Sequence, residues 1–214
     1  MRCYSWNVNG IRAVQRKGCL PWDVIADGDL IAIQETKAKV DQLEAEVAEP
    51  DGWNAFWHSA QKPGYSGVAI FSRQVPDEVI EGLGDDDYDC EGRVLSVRFG
   101  ELVVISAYFP NSQDGGKRLA YKLGFCAAME KFLARLRKRG RETLLLGDYN
   151  IAHQPIDLAR PKQNEQQAGY LPEERAWFTR YLGLGYRDVF RERNPDLTEA
   201  YTWWPLRTNA RARN

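Results

Sequence analysis

Leu144-Leu145-Leu146-Gly147-Asp148-Tyr149-Asn150 reads as an apolar strand that ends in a glycine turn and presents a carboxylate and a carboxamide two residues apart. A buried strand holds its polar end rigidly at a cleft, which is the arrangement that divalent-metal phosphate chemistry needs. Alone the motif is weakly specific, because Gly-Asp-x-Asn also forms ordinary turns. Two other strand ends carry matching groups. Arg2-Cys3-Tyr4-Ser5-Trp6-Asn7 closes on Asn7, and Leu30-Ile31-Ala32-Ile33-Gln34-Glu35 closes on Glu35.

Outward from these strands, the pattern alternates strands with helices and shows no linker. Residues 11–25 read as partly helical, with Pro21 interrupting. Residues 41–47 have helical spacing, and 54–58 and 66–72 read as short strands separated by a Gly-rich loop. Residues 93–99 alternate and 101–108 form a β-branched run. Gly100 and Glu101 are a connection short enough for an antiparallel hairpin. Leu119, Leu123, Cys126, Met129, Leu133 and Leu136 recur at three and four residues, so 118–138 is expected to be an amphipathic helix on a sheet. A strand at 143–146, a helix at 172–182 opened by proline, and a short strand at 201–204 follow. Mixed hairpin and βαβ elements imply an α/β fold of two facing mixed sheets with helices outside, in a single domain over 1–214.

The 214 residues are 43% hydrophobic, enough for a sizeable core. No apolar run approaches the ~20 residues of a membrane span, and a cytoplasmic protein is expected. Cys3, Cys19, Cys90 and Cys126 lack Cys-x-x-Cys spacing, so reduced thiols are favoured over disulfides or zinc. The net charge of −1 hides an asymmetry: residues 1–107 carry 10 Lys/Arg against 18 Asp/Glu, and residues 108–214 carry 19 against 12. A basic half can track a phosphate backbone. The basic residues at 131–141 are the solvated face of a helix; Arg160, Lys162, Arg207, Arg211 and Arg213, in loop-like segments beside aromatics, are better candidates for that contact.

Asn7-Val8-Asn9-Gly10, Gln34-Glu35-Thr36-Lys37, Gly64-Tyr65-Ser66-Gly67-Val68, Tyr108-Phe109-Pro110-Asn111 and Gly147-Asp148-Tyr149-Asn150 resemble, in order, the motifs of the exonuclease III family of apurinic/apyrimidinic endonucleases. The resemblance continues through His153-Gln154-Pro155-Ile156-Asp157-Leu158, Ala168-Gly169-Tyr170 and Tyr201-Thr202-Trp203-Trp204. It implies the four-layered α/β sandwich of the endonuclease/exonuclease/phosphatase superfamily. It also implies a Mg²⁺ cofactor, with Mn²⁺ as a substitute, and a monomer acting on double-stranded DNA at abasic sites or 3′ ends.

Each residue has an expected task. Glu35 offers the hard oxygen that Mg²⁺ accepts from one or two carboxylates while keeping several waters. Asn7 would ligate or hydrogen-bond beside it; the Asn-Gly turn signal explains Asn9 rather than Asn7. Asp148 would align or deprotonate the attacking water, and Asn150 would hold that water or a phosphate oxygen, both also near the metal. Tyr108 resembles the family's active-site tyrosine, donating to a nonbridging oxygen. Tyr65, Asn111, Arg118, Asn164 and Trp203 are the expected DNA contacts, with Trp203 at the position of the pocket for a flipped, base-free sugar. All the strand-end groups are expected to meet at one edge of the sandwich.

The family pattern continues into a Gly-Trp-Arg-x-Asp-Tyr strand and a Ser-Asp-His-x-Pro turn that supplies the catalytic histidine. Both lie beyond Asn214. On this ground the resemblance implies missing C-terminal strands and an incomplete catalytic set, which neither His58 nor His153 fills. The alternative is therefore a catalytically impaired or inactive DNA-binding fragment. A phosphatase of the same superfamily acting on lipid or inositol substrates shares Glu35 and Asp148 but gives no reason for Trp203, Asn111 and Arg118.

Overall fold

The structure, a computed structural model, describes residues 1–204 and Arg211. Its contacts divide into two compact units, one of Met1–Phe109 with Ala127–Tyr149 and one of Pro110–Cys126 with Asn150–Asn214.

The first unit holds two mixed four-stranded sheets. One contains β1 (Cys3–Asn7), β2 (Leu30–Gln34), β3 (Asn54–His58) and β4 (Val68–Ser72) in the order β1-β2-β4-β3, with β1 and β2 parallel. The other contains β5 (Glu78–Glu81), β6 (Val94–Phe99), β7 (Leu102–Tyr108) and β8 (Glu142–Asp148) in sequential order, with β7 and β8 parallel. The expected hairpin is present, with Phe99 opposite Leu102 and Gly100 at φ 59 in the turn.

Alternation along β2 sorts its side chains to two covered faces. Leu30 and Ala32 pack with Val68 and Ile70 against Leu95, Val97 and Val104 of the second sheet. Ile31 and Ile33 join Ala69 and Phe71 on the other side, against Val8, Ile11, Val14 and Val47. An all-apolar strand does not set its own register by hydrophobicity. Buried polar contacts do so here: Gln34 Nε2 donates to Ser106 Oγ at 3.1 Å, and Ser106 Oγ donates to the Ile33 carbonyl at 3.3 Å. A one-residue slip would leave these groups unpaired at a cost of about 1–3 kcal/mol each. The architecture is the four-layered α/β sandwich.

Several expectations need correction. Residues 41–47 are not one helix but a 3-10 turn at Val40–Gln42 and a short helix at Ala45–Ala48, because Leu43 and Glu44 are extended between them. Pro21 opens a second short helix, Pro21–Val24, rather than merely breaking the first, Ile11–Arg16. The strand expected from Ser66 starts at Val68, since Ser66 and Gly67 have left-handed backbones. No strand forms at 201–204. β5 escaped the sequence reading because Glu-Val-Ile-Glu has little apolar pattern; it pairs with β6, where Arg98 Nε bonds Glu78 at 3.0 Å.

The long helix Leu119–Lys138 runs from the second unit into the first. The second unit also contains the helices Pro161–Asn164, Pro172–Gly183 and Val189–Arg193. A stack of Trp177 on Tyr181 and Tyr181 on Tyr186, with centroids 5.2 and 4.5 Å apart, fills its interior. Among the described residues no helix is long and apolar enough to cross a membrane, and all four cysteines are free thiols.

Candidate active site

Parallel pairing brings four of the expected residues together in the first unit. β1 and β2 end side by side, with Asn7 opposite Gln34, and β7 and β8 end with Tyr108 opposite Asp148. Glu35 follows β2 directly, with φ 55. A left-handed backbone at a residue other than glycine costs on the order of 1–3 kcal/mol and persists only where its surroundings fix it. They do so here: the Glu35 carbonyl accepts from Gly10 N–H at 2.7 Å, and Thr36 and Lys37 N–H donate to the Gly67 and Ser66 carbonyls at 3.1 and 2.9 Å.

Asn7 occupies the centre of the cluster. Its Nδ2 donates to Glu35 Oε1 and to Asp148 Oδ2, both at 2.8 Å, so both amide hydrogens are used. Its Oδ1 accepts from Asn9 N–H at 3.0 Å, which fixes the orientation of the carboxamide. One nitrogen thus holds two carboxylates. Lys37 Nζ sits 2.6 Å from Glu35 Oε2 and also bonds Asn9 Oδ1.

Burial, the largest influence on Glu35, pushes its carboxyl up. Hydrogen bonds from Lys37 and Asn7, the Lys37 charge and a hydrogen bond from Tyr108 oppose it, and together they hold the carboxyl below the ordinary value. Since the folded pKa is the lower one, ionised Glu35 stabilises the fold above the unfolded pKa, and this contribution is lost as pH falls through the folded pKa. Lys37→Ala removes two of the opposing influences and leaves burial. The Glu35 titration followed by carboxyl ¹³C NMR is expected to move upward, with acid unfolding at higher pH. An unmoved titration would mean that Lys37 does not set this charge.

Tyr108 is held well above the ordinary tyrosine range, first by burial and then by the Glu35 charge, against the opposing charge of Arg93. Its phenol therefore stays protonated and acts as a donor, at present to Glu35. Arg93, only 2% exposed, lies under this tyrosine. Its Nη1 donates to the Tyr108 carbonyl at 3.0 Å, its Nη2 to Tyr65 Oη at 2.9 Å and its Nε to Glu91 at 2.6 Å, while its guanidinium stacks 4.7 Å from the Tyr108 ring. Tyr65 is thus tied to Tyr108 through one buried arginine.

The remaining expected residues belong to the second unit. Asn111 Nδ2 donates to Asn150 Oδ1 at 3.2 Å, while Asn111 Oδ1 accepts from Gln113 N–H at 2.7 Å. Arg118 lies 4.2 Å over the Tyr121 ring. Asn164 Nδ2 turns back to the Arg160 carbonyl at 2.7 Å. Trp203 is 70% exposed and Arg211 stacks over Trp204. Arg207 and Arg213 lie outside the described residues.

Each histidine has partners of its own. His58 Nδ1 donates to the Val94 carbonyl at 2.7 Å. His153 Nε2 meets Thr179 Oγ1 at 2.8 Å, its ring lies on Phe178, and burial foremost lowers its pKa. No task was expected of Arg93, Lys122 and Glu174, nor of Lys37, which stands in a quoted motif without a role. For Lys122 a signal existed: it falls three residues after Leu119 and four before Cys126, inside the apolar stripe where a charge is out of place.

A four-layered α/β sandwich with two carboxylates clasped by one carboxamide at its strand ends is an arrangement suited to phosphoester hydrolysis, and its family and relatives place the chain among phosphodiester hydrolases. The model of the Endonuclease/Exonuclease/phosphatase family matches residues 4–214, and the chain belongs to that family, in its exonuclease III/apurinic endonuclease group. It is 42% identical to an exodeoxyribonuclease of Bacillus subtilis, over all of this chain and 84% of that protein. It is 40% identical to the DNA repair nuclease APEX1 of Danio rerio, over all of this chain and 69% of that protein. Among solved structures, the 3′ phosphatase NExo from Neisseria bound to a product DNA hairpin superposes with a TM-score of 0.83 at 29% identity, covering 98% of this chain and 80% of that one.

Proposed function

We propose that this hydrolase is a Mg²⁺-dependent DNA-repair nuclease that cuts the phosphodiester at abasic sites in duplex DNA and removes nucleotides from 3′ ends. The observation that carries the reading is the double hydrogen bond from Asn7 to Glu35 and Asp148. Among the described residues no three of His, Cys, Asp and Glu form a metal cage. Two carboxylate oxygens within reach of one nitrogen suit Mg²⁺ instead, which needs one or two carboxylates and retains several waters. Glu35 would hold the ion with Asn7 beside it, and Mn²⁺ could take the same oxygens. An ion held there would supply Lewis-acid polarisation of the phosphate and charge neutralisation at the departing oxygen.

The protein groups supply the rest. Asp148, oriented by Asn7, accepts the proton of the attacking water. Tyr108, kept protonated, shifts its hydrogen from Glu35 to a nonbridging phosphate oxygen as charge develops there. Asn150, two residues after Asp148 in the chain, holds the water or a phosphate oxygen. Tyr65, Asn111, Arg118, Asn164 and the exposed Trp203 contact the duplex, and the basic residues of the C-terminal half steer it in a salt-dependent way. The named relatives, nucleases of DNA and a phosphatase seen with DNA, support this substrate class.

Glu35→Ala tests the reading. It is expected to lose most cleavage of an abasic duplex and to recover part of it at high Mg²⁺, because the ion then binds through the remaining ligands. Parental activity at low Mg²⁺ would overturn the assignment.

A further inference from the structure

Lys122 and Glu174 form an ion pair at 2.7 Å in which both side chains are completely buried. A buried pair of this kind often adds nothing to stability over apolar residues of the same volume, since desolvation offsets the attraction. Its other bonds show what it holds. Lys122 Nζ also donates to the main-chain carbonyl of Asn150 at 2.6 Å. Glu174 Oε1 accepts from Ser112 Oγ at 2.8 Å, and Glu174 Oε2 accepts from Leu171 N–H at 2.9 Å.

Asn150 needs such support. Its φ is 50, a left-handed conformation at a residue other than glycine. Gly169 lies against the same carbonyl, where a Cβ would come within 3.1 Å of the oxygen, and Gly169 O accepts from Ala152 N–H at 2.8 Å. Lys122 meets the peptide with a full charge, the strongest class of hydrogen bond available to a carbonyl. Glu174, 2.7 Å away, pairs that ammonium and aims it.

We propose that Lys122, braced by Glu174, is a positioning residue for the hydrolysis: it fixes the left-handed Asn150 peptide and thereby points the Asn150 carboxamide toward its task. The inference rests on the role assigned to Asn150 above.

The test is the double variant Lys122→Met/Glu174→Gln in the full chain. The carboxamide that Glu174→Gln introduces still accepts from Leu171 N–H and bonds Ser112, so the loss centres on the bond to Asn150. The melting temperature of the double variant is expected to fall by only a few degrees, the loss of one hydrogen bond to the Asn150 carbonyl. The amide resonances of Asn150 and Ile151 should shift while those of Asn7 and Glu35 stay in place. With an abasic duplex, kcat should fall about 10- to 100-fold at nearly constant KM, as for a misplaced group rather than lost binding. Added to Asn150→Ala, the double variant should cost nothing more. Ser112→Ala removes a bond from Glu174 and spares the Lys122–Asn150 bond, so it measures what lost stability alone does to kcat. Lys122→Leu/Glu174→Gln, which likewise leaves no donor at position 122, gives the same reading should the methionine pair fail to fold. Unshifted Asn150 resonances, losses that add to those of Asn150→Ala, or an equal fall in Ser112→Ala would each overturn the proposal. Parental activity in Asn150→Ala alone would instead reject the role given to Asn150, and the resonances would still decide whether Lys122 fixes its peptide.

Discussion

Asp148→Asn is expected to lower cleavage of an abasic duplex by about 10²–10⁴-fold, the contribution of a positioned proton acceptor, with duplex binding retained. The substitution keeps the shape of the side chain and inverts its chemistry. Asn7 Nδ2 now donates to Asp148 Oδ2. An asparagine must keep its oxygen toward that donor, which turns its amide hydrogens to the other side, where a water proton would have to be accepted. The alternative orientation sets two NH₂ groups against each other. Single-turnover cleavage together with duplex binding separates the two quantities. Equal rates for the variant and the parent would remove Asp148 from the chemistry.

Gly147→Ala is expected to destabilise the first unit by about 3 kcal/mol, the upper part of the usual range for overpacking, and to displace Asp148 beside it. Gly147 has φ 141 and lies opposite Ala107 in the parallel pairing of β7 with β8. A Cβ there would collide with the Ala107 carbonyl oxygen and lie 2.9 Å from its carbonyl carbon. These are backbone atoms of a central strand, so relief requires the two strands to part just before Tyr108 and Asp148. Urea unfolding with a lowered midpoint and a similar slope would report the loss. A variant as stable as the parent would mean that β7 and β8 can separate there without penalty.

Local signals made much of the molecule readable in advance. The hairpin of β6 and β7 follows from alternation around a glycine turn, and the long helix from its apolar spacing, because in both the partners are near in sequence. Asn7, Glu35 and Asp148 were legible as strand-end polar groups, since an apolar run that stops at a carboxylate or carboxamide marks where a buried strand reaches solvent, whereas the part of Tyr108 came from the family resemblance. The strand expected at 201–204 failed on this logic. Four aromatic and β-branched residues have strand propensity, but propensity without a neighbouring strand makes no ladder. Residues 41–47 failed likewise, since the spacing of Leu43 and Val47 is equally met by two short turns around an extended Leu43 and Glu44.

Residue order alone specifies which chemical groups end the central strands, where the hairpin and the long helix lie, and the family to which the ordered motifs belong. Tertiary structure alone decided how those groups meet. Asn7 and Asp148 are 141 residues apart and share one hydrogen bond, the left-handed turn at Glu35 is held by backbone groups from Gly10, Ser66 and Gly67, and Lys122 finds its buried partner 52 residues away. The reason is physical: a residue's type and local spacing set what it can donate, accept or bury, whereas the direction of a hydrogen bond and the charge state of a buried carboxylate depend on neighbours that only the folded chain brings into contact.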